Sequence, residues 1–160
     1  MAENKLSFLK NAFSDYVVEF TDSFTHAVIV NPFCGDNIAV YYYEDDEHTP
    51  YCVCFSYQHC HLCDKENVVE WINEIIQGRL LAIEFFNGEQ RCFGGDIEAE
   101  KLIDLSYETL EQHFGYFGST KLLQIADSFK VRGWNSLQSF NAVFVYEGNG
   151  NIGIKQTYIR

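Results

Sequence analysis

The densest run of reactive side chains is Cys52-Val53-Cys54-Phe55-Ser56-Tyr57-Gln58-His59-Cys60-His61-Leu62-Cys63, with four thiols and two imidazoles inside twelve residues. Thiolate and imidazole are the ligands of structural zinc, and Cys60-x-x-Cys63 has a recognised ligand spacing. On a strand, Cys52 and Cys54 would also project to one face. Cys52, Cys54, His59, Cys60, His61 and Cys63 are therefore the candidate metal set. A zinc ribbon needs a second, distant ligand pair, and only Cys92 and His113 follow. The competing reading is small buried cysteines with loop histidines, and it is the stronger because free cysteine is among the most buried residue types. The expectation is accordingly no cofactor, with zinc as the exception should the cluster form a zinc-stabilised adaptor or regulatory module.

Cys60 and Cys63 also precede a helix, where the helix dipole lowers a thiol pKa. That placement resembles the thioredoxin dithiol, but the opposing cis-proline is missing: both prolines, Pro32 and Pro50, come before Cys60. Gly148-Asn149-Gly150-Asn151-Ile152-Gly153 spells G-x-G-x-x-G but leads into a strand pattern, whereas the dinucleotide fingerprint must lead into a helix. A glycine- and asparagine-rich β-turn accounts for it. Asp96, Glu98 and Glu100 follow Gly94-Gly95 without a second element to pin them as an acid/base pair. No P-loop lysine, G-x-S-x-G elbow or H-E-x-x-H occurs. The chain is expected not to be an enzyme, the alternative being a small enzyme with a site that carries no recognised motif.

Charge is the more informative feature. The net charge is −12, and residues 41–112 hold 16 acids against four bases. The acids cluster at Glu44, Asp45, Asp46 and Glu47 and recur every fourth residue at Glu66, Glu70 and Glu74. A field of this sign repels nucleic acid and anionic lipid and attracts basic partners. No direct nucleic-acid binding is expected. No apolar run approaches the roughly 20 residues of a membrane span, and the N-terminus has no signal-peptide pattern, so a cytoplasmic protein with reduced thiols is expected.

The elements that position these groups are legible in outline. At 160 residues, 47% hydrophobic and 16% aromatic, the chain suits one domain with one core. Leu6, Leu9 and Phe13 suggest an N-terminal helix, and residues 16–20, 24–30, 38–43 and 51–57 read as strands. Asp64 can cap a helix whose stripe is Val68, Val69, Ile72, Ile75 and Ile76, with Gly78 ending it. Asn87-Gly88 predicts a two-residue hairpin turn that sets Glu84 opposite Arg91. Ser106 can cap a helix running to Phe114, and residues 119–132 fit both helical and strand periods. Residues 139–146 and 151–159 form a second hairpin. The sum is an α+β fold, a single domain with a largely antiparallel sheet and helices packed on one side.

In size, acidity and order of strands and helices, the whole chain resembles the small immunity proteins with which bacteria neutralise toxins. That resemblance implies a basic protein partner, a toxin domain such as a nuclease. Its active site would be occluded, with carboxylates standing in for substrate phosphates. The charge pattern selects the candidate contacts: Tyr42, Glu44, Asp45, Asp46, Glu47, Glu66, Glu70 and Glu74. Tyr41, Tyr42 and Tyr43 in one strand must place at least one ring on each face, beside the acidic loop.

Overall fold

The computed structural model describes residues 3–115 and 119–158. The fold is α+β, and its strands are antiparallel throughout, but they form two five-stranded sheets rather than one. The chain divides into two compact units, residues 1–77 and 78–160.

In the first unit, β1 (Val18–Phe20), β2 (His26–Ile29), β3 (Ile38–Tyr42), β4 (Tyr51–Phe55) and β5 (Gln58–Leu62) form a meander in chain order. Strand alternation decides its two faces. Ala27, Ile29, Ile38, Val40, Tyr51, Val53 and Phe55 are buried on one side. That side is covered by α1 (Phe8–Ala12) and α2 (Lys65–Ile76), which bring Leu9, Val68, Ile72 and Ile75. The α2 boundaries follow the expected chemistry. Asp64 accepts a hydrogen bond from the Asn67 amide at 2.8 Å, satisfying one of the orphan donors of the first turn, and Gly78 adopts φ +69 just past the end.

β5 departs from expectation, because His59 and His61 lie on a strand and not in a loop. Ser56 and Tyr57 make the two-residue connection from β4, with Ser56 at φ 53. A positive φ at a non-glycine residue costs about 1–2 kcal/mol, which the β4–β5 ladder offsets.

In the second unit the strand order is β10 (Ile152–Tyr158), β9 (Phe140–Tyr146), β8 (Ser128–Arg132), β6 (Leu80–Asn87) and β7 (Gln90–Glu98). Its core is phenylalanine-rich: Phe85, Phe114, Phe129, Phe140 and Phe144 are buried with Leu81, Ile83, Ile97 and Val131. The helices α3 (Tyr107–Gly115) and α4 (Thr120–Ile125) supply Leu110, Phe114 and Leu123 to one face. A reciprocal capping box starts α3: Ser106 Oγ accepts from the Thr109 amide at 3.1 Å, and Thr109 Oγ1 accepts from the Ser106 amide at 3.0 Å.

The β6–β7 turn is shifted by one residue from the expected one. Asn87 pairs with Gln90, leaving Gly88-Glu89 as the loop, and a bulge follows, so that Phe85 faces Phe93 and Glu84 faces Gly94. Gly88 at φ +58 is the first central residue, the type II′ pattern. The Glu84–Arg91 ion pair forms nonetheless, at 3.1 Å, but diagonally across the bulge. Residues 119–132 satisfy both of their periods in turn, first as α4 and then as β8. No helix among the described residues is long and apolar enough to cross a membrane.

Candidate functional site

The face of the first sheet opposite α1 and α2 carries a row of polar rings and thiols. Register aligns His26 with Tyr41, Tyr41 with Cys52, and Cys52 with His61. The neighbouring row is Val28, Ala39, Cys54 and His59. His26 stacks on Tyr41 with ring centroids 4.5 Å apart and planes 2° from parallel. Tyr43 continues the stack at 6.4 Å from Tyr41 and lies 6.3 Å from His61. The result is a nearly continuous π surface running toward the end of β3.

The acidic loop rises at that end. Tyr43 closes its base through an amide hydrogen bond to the Pro50 carbonyl at 2.8 Å, and Glu44-Asp45 form the turn. Asp46 is a builder of the loop. Its Oδ1 accepts from the amides of His48 at 3.0 Å and Thr49 at 2.8 Å, and its Oδ2 accepts from Thr49 Oγ1 at 3.1 Å. The hydrogen bond from the Thr49 amide, followed by that from His48, holds the Asp46 carboxyl below its usual pKa. Glu44, Asp45 and Glu47 point into solvent. Loop and rings together enclose an open concavity of about 890 Å³, lined by Thr25, Tyr41 to His48, and His61.

Three tyrosines in succession therefore divide as alternation requires. Tyr42 shares the helix-covered face with Tyr51, their ring centroids 5.2 Å apart, and also contributes to the lining of the concavity. Tyr41 and Tyr43 present their rings to it. Tyr43 is 45% exposed, and its phenol is pushed above its usual pKa by desolvation and then by the neighbouring Cys52 and Cys54, so it stays a neutral hydrogen-bond donor. Glu66, Glu70 and Glu74 stand on α2, the helix that covers the opposite face, and none lines the concavity.

The cysteine and histidine cluster is split by the pleat. Cys52, Cys54, His59 and His61 lie on the face opposite α1 and α2, with Cys52 Sγ 3.8 Å from Cys54 Sγ. Cys60, opposite Val53, lies on the helix-covered face. Cys63 is exposed before α2, where its sulfur accepts from Asn67 Nδ2 at 3.2 Å and its thiol donates to Asp64 Oδ2 at 3.5 Å. The Cys52 thiol is pushed up to about 12, first by burial and then by Cys54, and is fully protonated at neutral pH. Among the described residues no three His, Cys, Asp or Glu side chains already stand as a ligand group.

In the second unit, the carboxylates weighed as an acid/base loop, Asp96, Glu98 and Glu100, lie on β7 and the short 3-10 turn that follows it. Lys101 pairs with Glu98 at 2.9 Å. His113 Nδ1 accepts from Lys101 Nζ at 3.0 Å, which leaves Nε2–H to donate to the Asp96 carbonyl at 3.0 Å. Burial raises the Asp96 pKa, and the Lys101 hydrogen bond lowers that of Glu98. The G-x-G-x-x-G residues sit in the β9–β10 hairpin, with no helix after them.

Sequence reasoning placed at least one outward tyrosine beside the loop but chose Tyr42 as the contact, and it missed Thr25, His26 and His61 as neighbours. Their proximity depends on pairing across four strands, and the only local signal was the alternation of His59 and His61 with Gln58, Cys60 and Leu62. No protein-family model, curated protein or solved structure matches the chain.

Proposed function

We propose that the chain is a non-catalytic binding domain that captures a basic protein surface, in the manner of an immunity protein occluding the active site of a cognate toxin, such as a nuclease. The observation that carries this reading is the concavity of about 890 Å³ in which tyrosine rings meet carboxylates. Rings and carboxylates favour the same guest. Cationic side chains gain from the faces of Tyr41 and Tyr43 and from charge-assisted hydrogen bonds to Glu44, Asp45 and Glu47.

The roles separate physically. The three exposed carboxylates steer a cationic partner and raise its association rate, whereas the aromatic floor supplies contact area and slows dissociation. Asp46 holds the loop in shape before the partner arrives, which reduces the ordering cost of binding. A basic active site evolved to hold phosphates would accept the three carboxylates in their place. Glu66, Glu70 and Glu74 contribute to the long-range field rather than to this contact. The reading places the protein in the cytoplasm of a bacterium, where six free thiols stay reduced.

The test is affinity capture with the full chain as bait at low salt and elution with a salt gradient. A basic protein is expected to be retained by the native chain and lost from a Glu44→Gln, Asp45→Asn, Glu47→Gln bait, and the captured partner's activity should fall when the native chain is added back. Equal retention by both baits would reject the site. Retention without inhibition would reject the immunity role.

A further inference from the structure

We propose that Cys52, Cys54, His59 and His61 form a binding site for a zinc-class divalent cation on the face of the first sheet opposite α1 and α2, an inference that does not rest on the partner reading although His61 also lines the concavity. Only these four of the six clustered donors share a face, because the pleat sends Cys60 to the other side and Cys63 lies beyond the strand. The β4–β5 register sets Cys52 directly opposite His61 and Cys54 directly opposite His59, so the donors stand as two adjacent cross-strand pairs. A two-residue turn, Ser56-Tyr57, fixes that register.

The sulfur separation is the quantitative point. Zinc holds thiolates at about 2.3 Å, and two such bonds at a tetrahedral angle set the sulfurs roughly 3.8 Å apart. Cys52 Sγ and Cys54 Sγ stand 3.8 Å apart. The imidazoles pack edge to face, with centroids 5.4 Å apart, and both histidines are exposed. No three of the donors already converge among the described residues, so closure of the ligand set requires side-chain rearrangement, which exposed histidines undergo rapidly. Tyr43, stacked beside His61, borders the same site.

Binding exchanges two S–H protons for the cation. Zn²⁺, two thiols and two neutral imidazoles give a neutral complex and two protons released to solvent, so affinity rises with pH. The thiolate and imidazole set excludes calcium and magnesium, which require oxygen ligands.

The experiment titrates the chelator-treated full chain with Zn²⁺, and with Co²⁺ as a coloured reporter of tetrahedral thiolate ligation. One equivalent is expected to bind, with thiolate-to-cobalt charge transfer and strong visible bands. Cys54→Ser should abolish the charge-transfer signature of paired thiolates and weaken Zn²⁺ at least about tenfold. His59→Gln and His61→Gln should each weaken it by a similar factor, as loss of one ligand in a four-ligand site requires. Cys63→Ser and Cys92→Ser should bind as the native chain does. Cys54 is half-buried, so its substitution keeps the test decisive if Cys52→Ser fails to fold. The proposal is overturned by absent stoichiometric binding, by binding that survives Cys54→Ser or is indifferent to both histidines, or by binding lost in Cys63→Ser.

Discussion

Neutralising Glu44, Asp45 and Glu47 together, as Gln, Asn and Gln, isolates the electrostatic part of the proposed recognition. All three side chains are exposed and none supports the loop, which Asp46 holds through three hydrogen bonds. An exposed ion pair contributes about 0.2–1 kcal/mol, so three lost pairs weaken a basic partner by roughly threefold to 150-fold. Most of that loss should fall on the association rate, because exposed charges act mainly by steering. Salt provides the internal control. The Debye length shrinks from about 10 Å at 0.1 M to about 3 Å at 1 M, so native association should slow steeply with salt while the variant's rate stays nearly flat. Surface plasmon resonance of both proteins against the captured partner, across a salt series, measures rate and slope together. Unchanged association rate and unchanged slope would refute the assignment of the loop. A loss confined to the dissociation rate would instead assign the carboxylates to buried contacts.

Three further outcomes test the frame around the site. Phe85→Ala should cost about 3–5 kcal/mol in urea denaturation, since the ring is fully buried against Phe93, Phe114, Phe129 and Phe144; a cost under about 1 kcal/mol would contradict that core. Iodoacetamide mapped by mass spectrometry should label exposed Cys63 well before Cys52, which is 4% exposed and protonated below about pH 12, and the reverse order would contradict the burial of Cys52. Burial raises the pKa of Glu84 despite the opposing effects of Arg91, Lys130 and Arg132, so the native state binds its proton more tightly than the unfolded chain does. The stabilisation associated with that proton is complete below the usual glutamate pKa and is lost as pH rises through the raised native value. Melting curves of Glu84→Gln between these limits should lack that component, and a pH profile parallel to the native one would disprove the shift.

The legible parts of the fold are those written in local chemistry. Asp64, the stripe from Val68 to Ile76, and Gly78 specify α2 from cap to stop, and Ser106 marks the start of α3. Legibility fails where a non-local term decides. Asn87-Gly88 is a strong local turn signal, yet a bulge in β7 moves the loop to Gly88-Glu89 while preserving the Glu84–Arg91 pair. Ser56-Tyr57 carries no turn signature, because its positive φ is maintained by the ladder it connects, and β5 was invisible for that reason. Two sheets instead of one follow from strand pairings that composition does not encode. The binding concavity inherits this limit: its carboxylates are visible as a charge run, but its aromatic floor exists only through the β2–β3–β4–β5 register.

Asp46 shows why a charge run cannot be read as a list of equivalent contacts. Four consecutive acids repel one another, and a flexible loop bearing them would spread apart and lose its shape. Turning one carboxylate inward onto the His48 and Thr49 amides converts a repulsive charge into the fastening of the turn. Because those hydrogen bonds favour the ionised form, the fastening is present above the usual aspartate pKa and fails only as pH falls through the depressed native value. Recognition thus falls to Glu44, Asp45 and Glu47, and Asp46→Ala should behave unlike any of them. Its loss should lower affinity at high salt as well as low, since a disordered loop adds an ordering cost that screening does not remove. If Asp46→Ala instead shows the same salt-dependent loss as the three exposed acids, Asp46 is a contact like its neighbours and the division of labour within the loop is wrong.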